Sequence, residues 1–291
     1  MDRKTICSLL TCAAMIAAGC SKRDRVVVAS KNFTEQVVLG ELIAQHLEHR
    51  LKQPIERKLD LGGTLLAHQA LLKGDIDLYP EYTGTAFTNV LKQGGSTDPA
   101  AVLERVKSGY AAMQLDWLDP LGFDDSFAMS VRGDDARRRH LETLSDAGRD
   151  TEGFVLGAGY EFLQRPDGFG ALNAGYHIHW TASQKSMDLG LLYPALEQKQ
   201  VSMAAGNMTD GILSTADIKV LQDDKHVFPP YQASIVVRSE SLSRFSGLSD
   251  ALKELSGKIS SDEMRKLNYE VDVKHRRPAD VAADFLKSKS L

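Results

Sequence analysis

The chain has 291 residues and a formal net charge of -4, with 43% hydrophobic and 25% charged residues. This length suits one large domain or two lobes of ordinary size, and the composition is typical of a folded globular protein rather than a disordered one. The pI is near 6.1, whereas phosphate contacts need a concentrated basic face, so we expect no nucleic acid among the partners.

The N-terminus has the features of an export signal. Arg3 and Lys4 precede an uncharged apolar run at 5–18, which is too short for a permanent membrane span. The residues AAGC that end at Cys20 resemble the lipobox of bacterial lipoproteins, in which the cysteine becomes the lipid-carrying N-terminus. We therefore expect residues 1–20 to be a lipoprotein signal peptide and the mature protein to be exported and lipid-anchored, facing the periplasm or cell exterior. A plain signal peptide with an incidental cysteine is the alternative.

The mature chain opens with a strand followed at once by a helix. Residues 26–29 have the length and apolar character of a buried parallel strand, and an amphipathic helix follows that we predict to be capped by Thr34. Residues 30–36 then lie where a strand's carboxyl end meets a helix N-terminus, the place where open α/β sheets bind anionic groups. Lys31 and Gln36 are therefore candidate ligand contacts.

The same alternation continues in the next hundred residues. A strand is predicted at 55–61, and a helix capped by Thr64 follows and ends near Gly74. Asp98 and Pro99 open another helix as cap and first-turn proline. This β-α-β pattern is typical of a parallel sheet.

A turn directly after the third predicted strand is a candidate binding-site corner. Alternating apolar and acidic residues predict a strand at 74–79, and Pro80, which lacks an N–H group, predicts its end there. Tyr82 and Thr85 flank Gly84, the residue that most easily lets backbone approach a ligand closely. An aromatic face and a hydroxyl group would then lie together at a strand end.

The rest of the chain predicts a second lobe and a return to the first. Further strands are predicted at 153–157, 176–180, 201–204 and 218–221. Two more strands, in the second half of 123–132 and at 231–238, are interpreted as crossings between lobes. Ser260 with Glu263 predicts a capping box, and Pro278 opens a last helix. We expect lobe I at 26–124 plus 232–291, lobe II at 125–231, and a ligand cleft between them.

Several blocks in one order carry a resemblance to a known family. The sequence resembles the substrate-binding proteins of osmoprotectant ABC transporters, the glycine betaine, carnitine and choline family. The blocks are SKNFTEQ at 30–36, LGGT at 61–64, YPEYTGT at 79–85, FLQRPDG at 162–168, DDK at 223–225 with FP at 228–229, and MRKLNY at 264–269. The resemblance implies an α/β, two-lobed periplasmic-binding-protein fold of type II-like topology, with the cleft between lobes that two hinge strands join.

The resemblance also implies a box of aromatic rings around a trimethylammonium head. Carried over residue by residue, the box is formed by Tyr82, Phe127, Tyr193 and Tyr231, with Asp125 as a nearby negative charge. A quaternary ammonium group has no N–H to donate, so recognition depends on π-faces and shape. Phe127 stands where the family usually has tyrosine, which keeps the π-face and removes a hydroxyl group.

A second group of residues is implied for the carboxylate end of such a ligand. The resemblance assigns Lys31, Arg165 and Thr85 to this end, with Gln36 behind them, and Arg165 has the fork geometry for bidentate binding. It implies capture by domain closure without covalent chemistry, cofactor or metal, and delivery to separate permease and ATPase subunits. We expect a monomer that meets the membrane only through its lipid anchor.

Other readings remain open at this point. The same fold could bind ergothioneine, itself a trimethylammonium betaine, or could serve protein contacts alone. A secreted metal-dependent hydrolase is the alternative from a different class: His46 with His49, or His177 with His179, could contribute to a metal site, although such sites normally bring three or more ligands. No Gly-x-Ser-x-Gly motif is present, and Cys20 is the only cysteine beyond the predicted cleavage point, which leaves no disulfide and no thiol nucleophile.

Overall fold

Two five-stranded sheets with flanking helices form a two-lobed α/β structure. The computed structural model describes residues 24–291, so the predicted signal peptide and Cys20 lie outside the described residues. The first sheet contains β1 (Val27–Ala29), β2 (Glu56–Lys58), β3 (Leu78–Tyr82), β4 (Leu115–Trp117) and β10 (Ala233–Arg238). The second contains β5 (Phe127–Arg132), β6 (Leu156–Ala158), β7 (Lys185–Ser186), β8 (Met203–Asn207) and β9 (Ile218–Val220).

The helices cover both sheets and connect their strands. Around the first sheet lie α1 (Thr34–Leu51), α2 (Thr64–Lys73), α3 (Thr83–Thr85) and α4 (Pro99–Ala111), and later α10 (Ser239–Arg244), α11 (Leu248–Lys253), α12 (Ser261–Asp272) and α13 (Pro278–Lys289). Around the second lie α5 (Gly133–Arg139), α6 (Leu144–Arg149), α7 (Tyr160–Gln164), α8 (Phe169–Tyr176) and α9 (Leu192–Glu197). Short irregular helical turns occupy Ala86–Val90, Leu189–Leu191 and Gly211–Ser214. Among residues 24–291, no helix has the length and apolar character needed to cross a bilayer.

The strand order places one antiparallel strand inside each otherwise parallel sheet. The orders are β2-β1-β3-β10-β4 and β7-β6-β8-β5-β9. β10 runs antiparallel to β3 and β4, and β5 runs antiparallel to β8 and β9. These two strands are the ones that the chain forms directly after it passes from one sheet to the other. The parallel strands send their carboxyl ends to one edge of each sheet, where ligand sites of open α/β sheets form.

Apolar spacing explains how α1 is held against the first sheet. Val38, Leu39, Leu42, Ile43 and Leu47 are fully buried, as their helical spacing predicts. They belong to the largest apolar cluster, which includes β1 and the C-terminal helices. Burial of each such side chain stabilises the fold by about 1.5–3 kcal/mol. The start of α1 is therefore a rigid support for residues 30–36.

Two of the predicted helix caps are wrong by one residue, and two are confirmed. Phe33 and Gly63 occupy the cap positions of α1 and α2, so Thr34 and Thr64 are the first helical residues. The Thr34 hydroxyl group instead donates to Asp272, at 2.6 Å. The predictions for α4 and α12 are confirmed: Asp98 accepts from the Ala101 N–H, and Ser260 and Glu263 form a capping box.

The third strand does not end at Tyr79, as the sequence predicts, but continues through Pro80 to Tyr82. β1 pairs with β3 only at Leu78, so the strand has a single partner, β10, from Tyr79 onward. A residue without an N–H group loses no ladder bond on the unpaired side. The extension carries Tyr82 to the edge of the sheet.

The strand predicted at 176–180 is also wrong. Tyr176 ends α8, and His177 follows in the left-handed conformation with φ of 52°. Only Trp180 makes a strand-like contact, an isolated parallel bridge to Phe154. The other strands predicted in this region are present, although β6 begins at Leu156 rather than at residue 153.

The two segments that pass between the sheets pair with each other. Asp124 and Gln232 form an isolated antiparallel bridge. The Asp125 N–H donates to the carbonyl oxygen of Tyr231, at 3.1 Å, and the Asp124 carboxylate accepts from the Tyr231 N–H, at 2.7 Å. The crossing is thus a short two-stranded ribbon, directly beside two of the predicted ligand contacts.

Candidate ligand-binding site

A cavity of about 540 Å³ lies between the two lobes. Its walls are formed by residues that follow β1 and β3, by the crossing ribbon, and by α7, α9, α12 and the loop beyond β8. The structure brings eight predicted ligand contacts to it: Lys31, Tyr82, Thr85, Asp125, Phe127, Arg165, Tyr193 and Tyr231. Gln36 is fully buried outside the lining, where its Oε1 accepts the Lys31 N–H at 3.2 Å.

Each predicted tyrosine donates its hydroxyl group to a carboxylate that is buried or half-buried. The three pairs, all at 2.6 Å, are Tyr82 with Glu35, Tyr193 with Asp210, and Tyr231 with Asp167. Each bond fixes the orientation of the ring and places negative charge beside it. Both effects favour a cation on the ring face, because the attraction of a cation to a π-system is electrostatic.

The aromatic side chains form two groups around the cavity. Phe127 packs edge-to-face against Phe162, Phe228 and Tyr231, with ring centroids 4.8, 5.3 and 5.2 Å apart. Phe33 stacks on Tyr82 at 6.3 Å. Phe33 and Phe162 line the cavity and were not among the predicted contacts.

Gly84 serves the packing of one of these rings. A Cβ atom at residue 84 would lie 2.6 Å from the Tyr231 ring and 2.7 Å from the carbonyl oxygen of Pro230. The close approach that the sequence indicates at Gly84 is therefore made by the protein's own Tyr231. Absence of a side chain there lets the crossing ribbon lie against the end of β3.

The two basic residues of the cavity are already paired with carboxylates. Lys31 Nζ lies 2.6 Å from Glu81 Oε1 and 4.7 Å from the centroid of the Tyr82 ring. Arg165 binds Asp167 through Nε and Nη2, at 2.9 and 2.5 Å, and its guanidinium carbon lies 5.2 Å from the Phe127 centroid. Burial raises the pKa of Asp167, but the Arg165 guanidinium outweighs it and holds that pKa below its ordinary value.

A buried acidic network joins the two lobes at the cavity wall. The Thr209 hydroxyl group lies 2.5 Å from Glu35 Oε2 and 2.6 Å from Asp125 Oδ1. The Asn268 amide donates to Glu35 at 3.0 Å and to the Thr209 carbonyl oxygen at 2.9 Å. Burial raises the pKa of Glu35 to about 7, against the hydrogen bonds from Thr209, Tyr82 and Asn268.

The other two carboxyl groups of this wall are shifted in the same direction. Burial, followed by the charge of Glu35, raises the pKa of Asp125 well above its ordinary value. Burial raises the pKa of Asp210 to about 6, despite hydrogen bonds from the Asn207 N–H and the Tyr193 hydroxyl group. Around neutral pH this wall can therefore exchange protons, unlike an ordinary surface carboxylate.

Sequence reasoning did not identify the carboxylates that complete this site. Glu35 and Glu81 lie inside the sequence blocks that carry the family resemblance, but neither is among the predicted ligand contacts. Asn268 also lies in a quoted block, beside Tyr269. One feature of the sequence could have indicated the carboxylates: an acidic residue directly beside a predicted buried ring, such as Glu81 before Tyr82. A carboxylate buried at such a position needs a hydrogen-bond donor or a cation as its partner.

The histidine pairs considered for a metal do not form a shared site. The His46 ring is buried and lies 2.9 Å from the Ala251 carbonyl oxygen, while His49 is exposed. Within residues 24–291, no group of three or more potential ligands comes together to hold a metal ion.

Comparisons with known proteins match almost the whole chain and indicate one family. Residues 24–288 match the family described as OpuAC, the substrate binding domain of ABC-type glycine betaine transport systems. The chain is 34% identical over 284 residues to a carnitine transport binding protein of Listeria monocytogenes, which covers 97% of this chain and 92% of that protein. It is 37% identical over 269 residues to an ergothioneine transport permease/ergothioneine binding protein of Helicobacter pylori.

The H. pylori alignment covers 91% of this chain and 48% of that protein, so the chain spans about half the length of that relative. Among solved structures, a glycine betaine/carnitine/choline ABC transporter crystal structure superposes with a TM-score of 0.75 at 33% identity, covering 90% of this chain and 98% of that one. The likeness extends over both lobes and the cleft between them. The chain belongs to the family of substrate-binding domains of ABC-type glycine betaine transport systems.

Proposed function

We propose that the protein captures a quaternary-ammonium solute, such as glycine betaine, choline or carnitine, in the cleft and delivers it to separate permease and ATPase subunits. The observation that carries this proposal is the aromatic lining of the cavity, in which every predicted tyrosine is hydrogen-bonded to a carboxylate. The family's members bind solutes for ABC transport and are not enzymes, and the carnitine-binding relative supports this ligand class.

The residue assignments are part of the same proposal. Tyr82, Phe127, Tyr193 and Tyr231 enclose the cation, with Asp125 close to it, and each ring contributes about 0.5–2 kcal/mol. At the polar end, Thr85 offers a hydroxyl group, Lys31 and Arg165 offer the hydrogen-bonding capacity that their carboxylate partners leave free, and Gln36 supports Lys31 from behind. Lys31, Tyr82 and Thr85 lie at or after strand ends, and Asp125, Phe127 and Tyr231 lie on or beside the crossing ribbon, whereas Arg165 directly follows α7 and Tyr193 lies in α9, around the second sheet.

Capture is proposed to proceed by closure of lobe I, residues 26–124 plus 232–291, on lobe II, residues 125–231. The Asp124–Gln232 ribbon supplies the hinge. Across the cleft, Glu161 of α7 accepts the backbone N–H of Thr64 at the N-terminus of α2, at 2.8 Å. A carboxylate at a helix N-terminus is favoured by the helix dipole, so this contact stabilises the closed arrangement.

Export and membrane anchoring form a further part of the proposal. Members of the family are extracytoplasmic substrate-binding proteins. We propose that residues 1–20 are removed as a lipoprotein signal peptide, and that lipidated Cys20 tethers a monomer to the membrane beside its permease. Metabolic labelling with a radioactive fatty acid should label the parent chain and leave the Cys20→Ala variant unlabelled.

Calorimetric titration of the unlipidated mature protein, residues 21–291, tests the proposed function. The ligands are glycine betaine, choline, carnitine, proline betaine and ergothioneine. We expect saturable one-to-one binding of at least one of them. If none of the five ligands shows detectable binding while circular dichroism shows that the protein is folded, the proposal is overturned.

Ergothioneine is kept as a second candidate because of one comparison. The H. pylori relative, whose name includes ergothioneine binding, is 37% identical to this chain over 269 residues. Ergothioneine carries the same trimethylammonium head, so the aromatic lining suits it as well. The calorimetric titrations compare its affinity with those of glycine betaine, choline and carnitine, and the solute that binds most tightly is the preferred one.

The Phe127→Tyr variant is expected to change ligand preference more than stability. The Phe127 ring lies among Phe162, Phe228 and Tyr231, and an added hydroxyl group would bring a polar atom to this part of the lining. We expect the ratio of the glycine betaine and choline affinities to shift by about threefold or more, with a change in unfolding free energy below about 1.5 kcal/mol. Titration of both solutes and urea denaturation give the two quantities. An unchanged ratio would contradict the assignment of Phe127 to the box.

A further inference from the structure

The polar groups of the cleft are distributed very unevenly between acids and bases. Seven acidic and two basic residues line the cavity. Both bases, Lys31 and Arg165, are held by carboxylates at 2.6 and 2.5 Å. A ligand carboxylate would therefore meet cations that are already neutralised, whereas a ligand cation meets a surplus of acidic groups.

Glu35 and Asp125 cannot both be ionised and both accept a hydrogen bond from the Thr209 hydroxyl group. The Thr209 hydroxyl group has one proton and lies within hydrogen-bonding distance of both carboxyl groups, at 2.5 and 2.6 Å. It can donate to only one of them, so the other carboxyl group must donate to Thr209. The pair thus holds one proton, as closely spaced carboxyl groups generally do.

The hydrogen-bond partners indicate which carboxyl group carries that proton. Glu35 accepts from the Tyr82 hydroxyl group and the Asn268 amide in addition to Thr209, which favours its ionised form. Within residues 24–291, the only hydrogen-bond partners found for the Asp125 carboxyl group are the Thr209 backbone N–H, which donates to it, and the Thr209 hydroxyl group. The proton therefore lies on Asp125, which donates to Thr209, which donates to Glu35.

A second observation shows that this acidic wall lacks a donor. Asn268 lines the cavity and is only 3% exposed, and within the described part of the chain its Oδ1 has no hydrogen-bond partner. Its amide nitrogen faces two acceptors, Glu35 and the Thr209 carbonyl oxygen, which fixes the orientation of the side chain. This buried, unpaired acceptor adds to the local excess of acceptors over donors around the two carboxyl groups.

We propose that Glu35, Thr209, Asp125 and Asn268 form a specificity-determining wall that selects quaternary ammonium ions of net positive charge, such as choline, over zwitterionic betaines, and that capture expels the shared proton. The inference rests on the proposed function and narrows its ligand class. The cation replaces the proton as the counter-charge of the carboxyl pair. No bond other than the O–H bond of the carboxyl group is broken, and the proton passes to solvent.

Proton release sets the direction of the pH dependence. Below the pH at which the pair ionises, the cation must compete with the proton, so affinity falls as pH falls. The titratable groups that act on the pair are Asp210 beyond β8, Tyr82 of β3 and Tyr193 of α9, and Asp272 of α12 and Lys31 beyond β1 line the same cavity. Lys31 is paired with Glu81, and the acidic groups add negative charge. The affinity for a cation is therefore still expected to fall as pH falls.

Paired titrations with choline and glycine betaine test the inference, because both have the same trimethylammonium head and only the second has a carboxylate. We expect choline to bind at least about tenfold more tightly at pH 8, equivalent to about 1.4 kcal/mol. Its affinity should fall by up to about tenfold per pH unit at lower pH, while that of glycine betaine changes less. Calorimetry in phosphate and in Tris at neutral pH should show release of up to about one proton per choline bound.

The Asp125→Asn variant is the central test, because asparagine is uncharged and has no carboxyl proton to release, while its Oδ1 can still accept the Thr209 N–H. We expect it to remove proton release and to bring the choline affinity close to that for glycine betaine. Asp119→Asn is the matched control, since Asp119 is an exposed carboxylate 3.0 Å from Lys107 and does not line the cavity. This variant should behave as the parent protein does.

The outcomes separate the inference from the proposed function. Glycine betaine binding as tightly as choline, or choline binding without proton release, overturns the inference and leaves the proposed function standing. If a folded protein binds neither choline nor glycine betaine, nor any other ligand of the panel, the inference and the proposed function are both overturned. Glu35→Gln is the second variant should Asp125→Asn fail to fold, and it should likewise abolish proton release.

Discussion

The Arg165→Met variant is expected to lower the free energy of unfolding by about 3–5 kcal/mol, the cost of leaving one partner of a buried ion pair alone. The Arg165 and Asp167 side chains are 9% and 3% exposed, and Asp167 also accepts the Tyr231 hydroxyl group at 2.6 Å. Methionine fills the volume of the arginine stem but leaves the Asp167 carboxylate without its cation. Urea denaturation of the ligand-free protein measures the loss.

Two further variants show whether the unpaired charge is the cause. In Arg165→Met with Asp167→Asn, no charge is buried and the amide can still accept from Tyr231, so we expect more than half of the lost free energy to return. Arg277→Met breaks a bidentate pair with Asp280 of similar geometry on the surface, where solvent screens the charges. It should leave stability unchanged. Equal losses in the buried and the exposed single variants would contradict the argument.

The pH dependence of the Arg165→Met effect follows from the sign of the pKa shift. Arg165 holds the pKa of Asp167 below its ordinary value despite burial. The contribution of the pair is therefore present above about pH 4 and is lost as pH falls through the lower, folded-state value. In the variant, burial without the guanidinium raises the pKa of Asp167 above its ordinary value, so the difference between parent and variant should begin to narrow above about pH 4 and should continue to narrow as pH falls through the lower folded-state value of the parent.

Local sequence patterns predict the elements of this fold well where burial has a simple period. The apolar spacing of α1, the cap at Asp98 and the capping box at Ser260 are all visible without a structure. The errors fall where tertiary contacts decide. Pro80 remains inside β3 because β1 no longer pairs there, a fact about a neighbouring strand that no local pattern contains.

The candidate site divides in the same way. The rings of Tyr82, Tyr193 and Tyr231 were predicted from the resemblance, and the structure brings them to one cavity. Their carboxylate partners were not, because the contacts of Tyr82 with Glu35 and of Tyr231 with Asp167 join residues 47 and 64 positions apart. Periodicity and motif spacing describe neighbours in sequence, so the charge balance of a cleft between lobes is accessible only from three-dimensional arrangement.

That charge balance changes the interpretation of Lys31 and Arg165. Taken from the sequence, they are two cations available to a ligand carboxylate. In the structure each one neutralises a buried carboxylate of the protein and lies near an aromatic ring, with Lys31 4.7 Å from the Tyr82 centroid and Arg165 5.2 Å from that of Phe127. Their first effect is therefore to hold the rings and acids in place, and any contact with the ligand is additional.

The Tyr82→Ala variant is expected to weaken binding of the preferred solute by at least about 30-fold, or about 2 kcal/mol, the upper range for one cation–π contact. Tyr82 is 4% exposed, lines the cavity, and binds Glu35 through its hydroxyl group at 2.6 Å. Alanine removes the ring face and one of the donors to Glu35. Tyr82→Phe keeps the face, so its loss of affinity should be clearly smaller.

Tyr176→Ala is the matched control for this prediction. The Tyr176 hydroxyl group also donates to a carboxylate, that of Asp223, and its ring has a lysine, Lys225, 4.9 Å from the centroid. Tyr176 does not line the cavity, so its loss should lower stability and leave solute affinity unchanged. Titration of the three variants under conditions where each is folded gives the comparison. Equal affinities for Tyr82→Ala and the parent would show that the cation lies elsewhere, because a ring that encloses the ligand cannot be removed without weakening its binding.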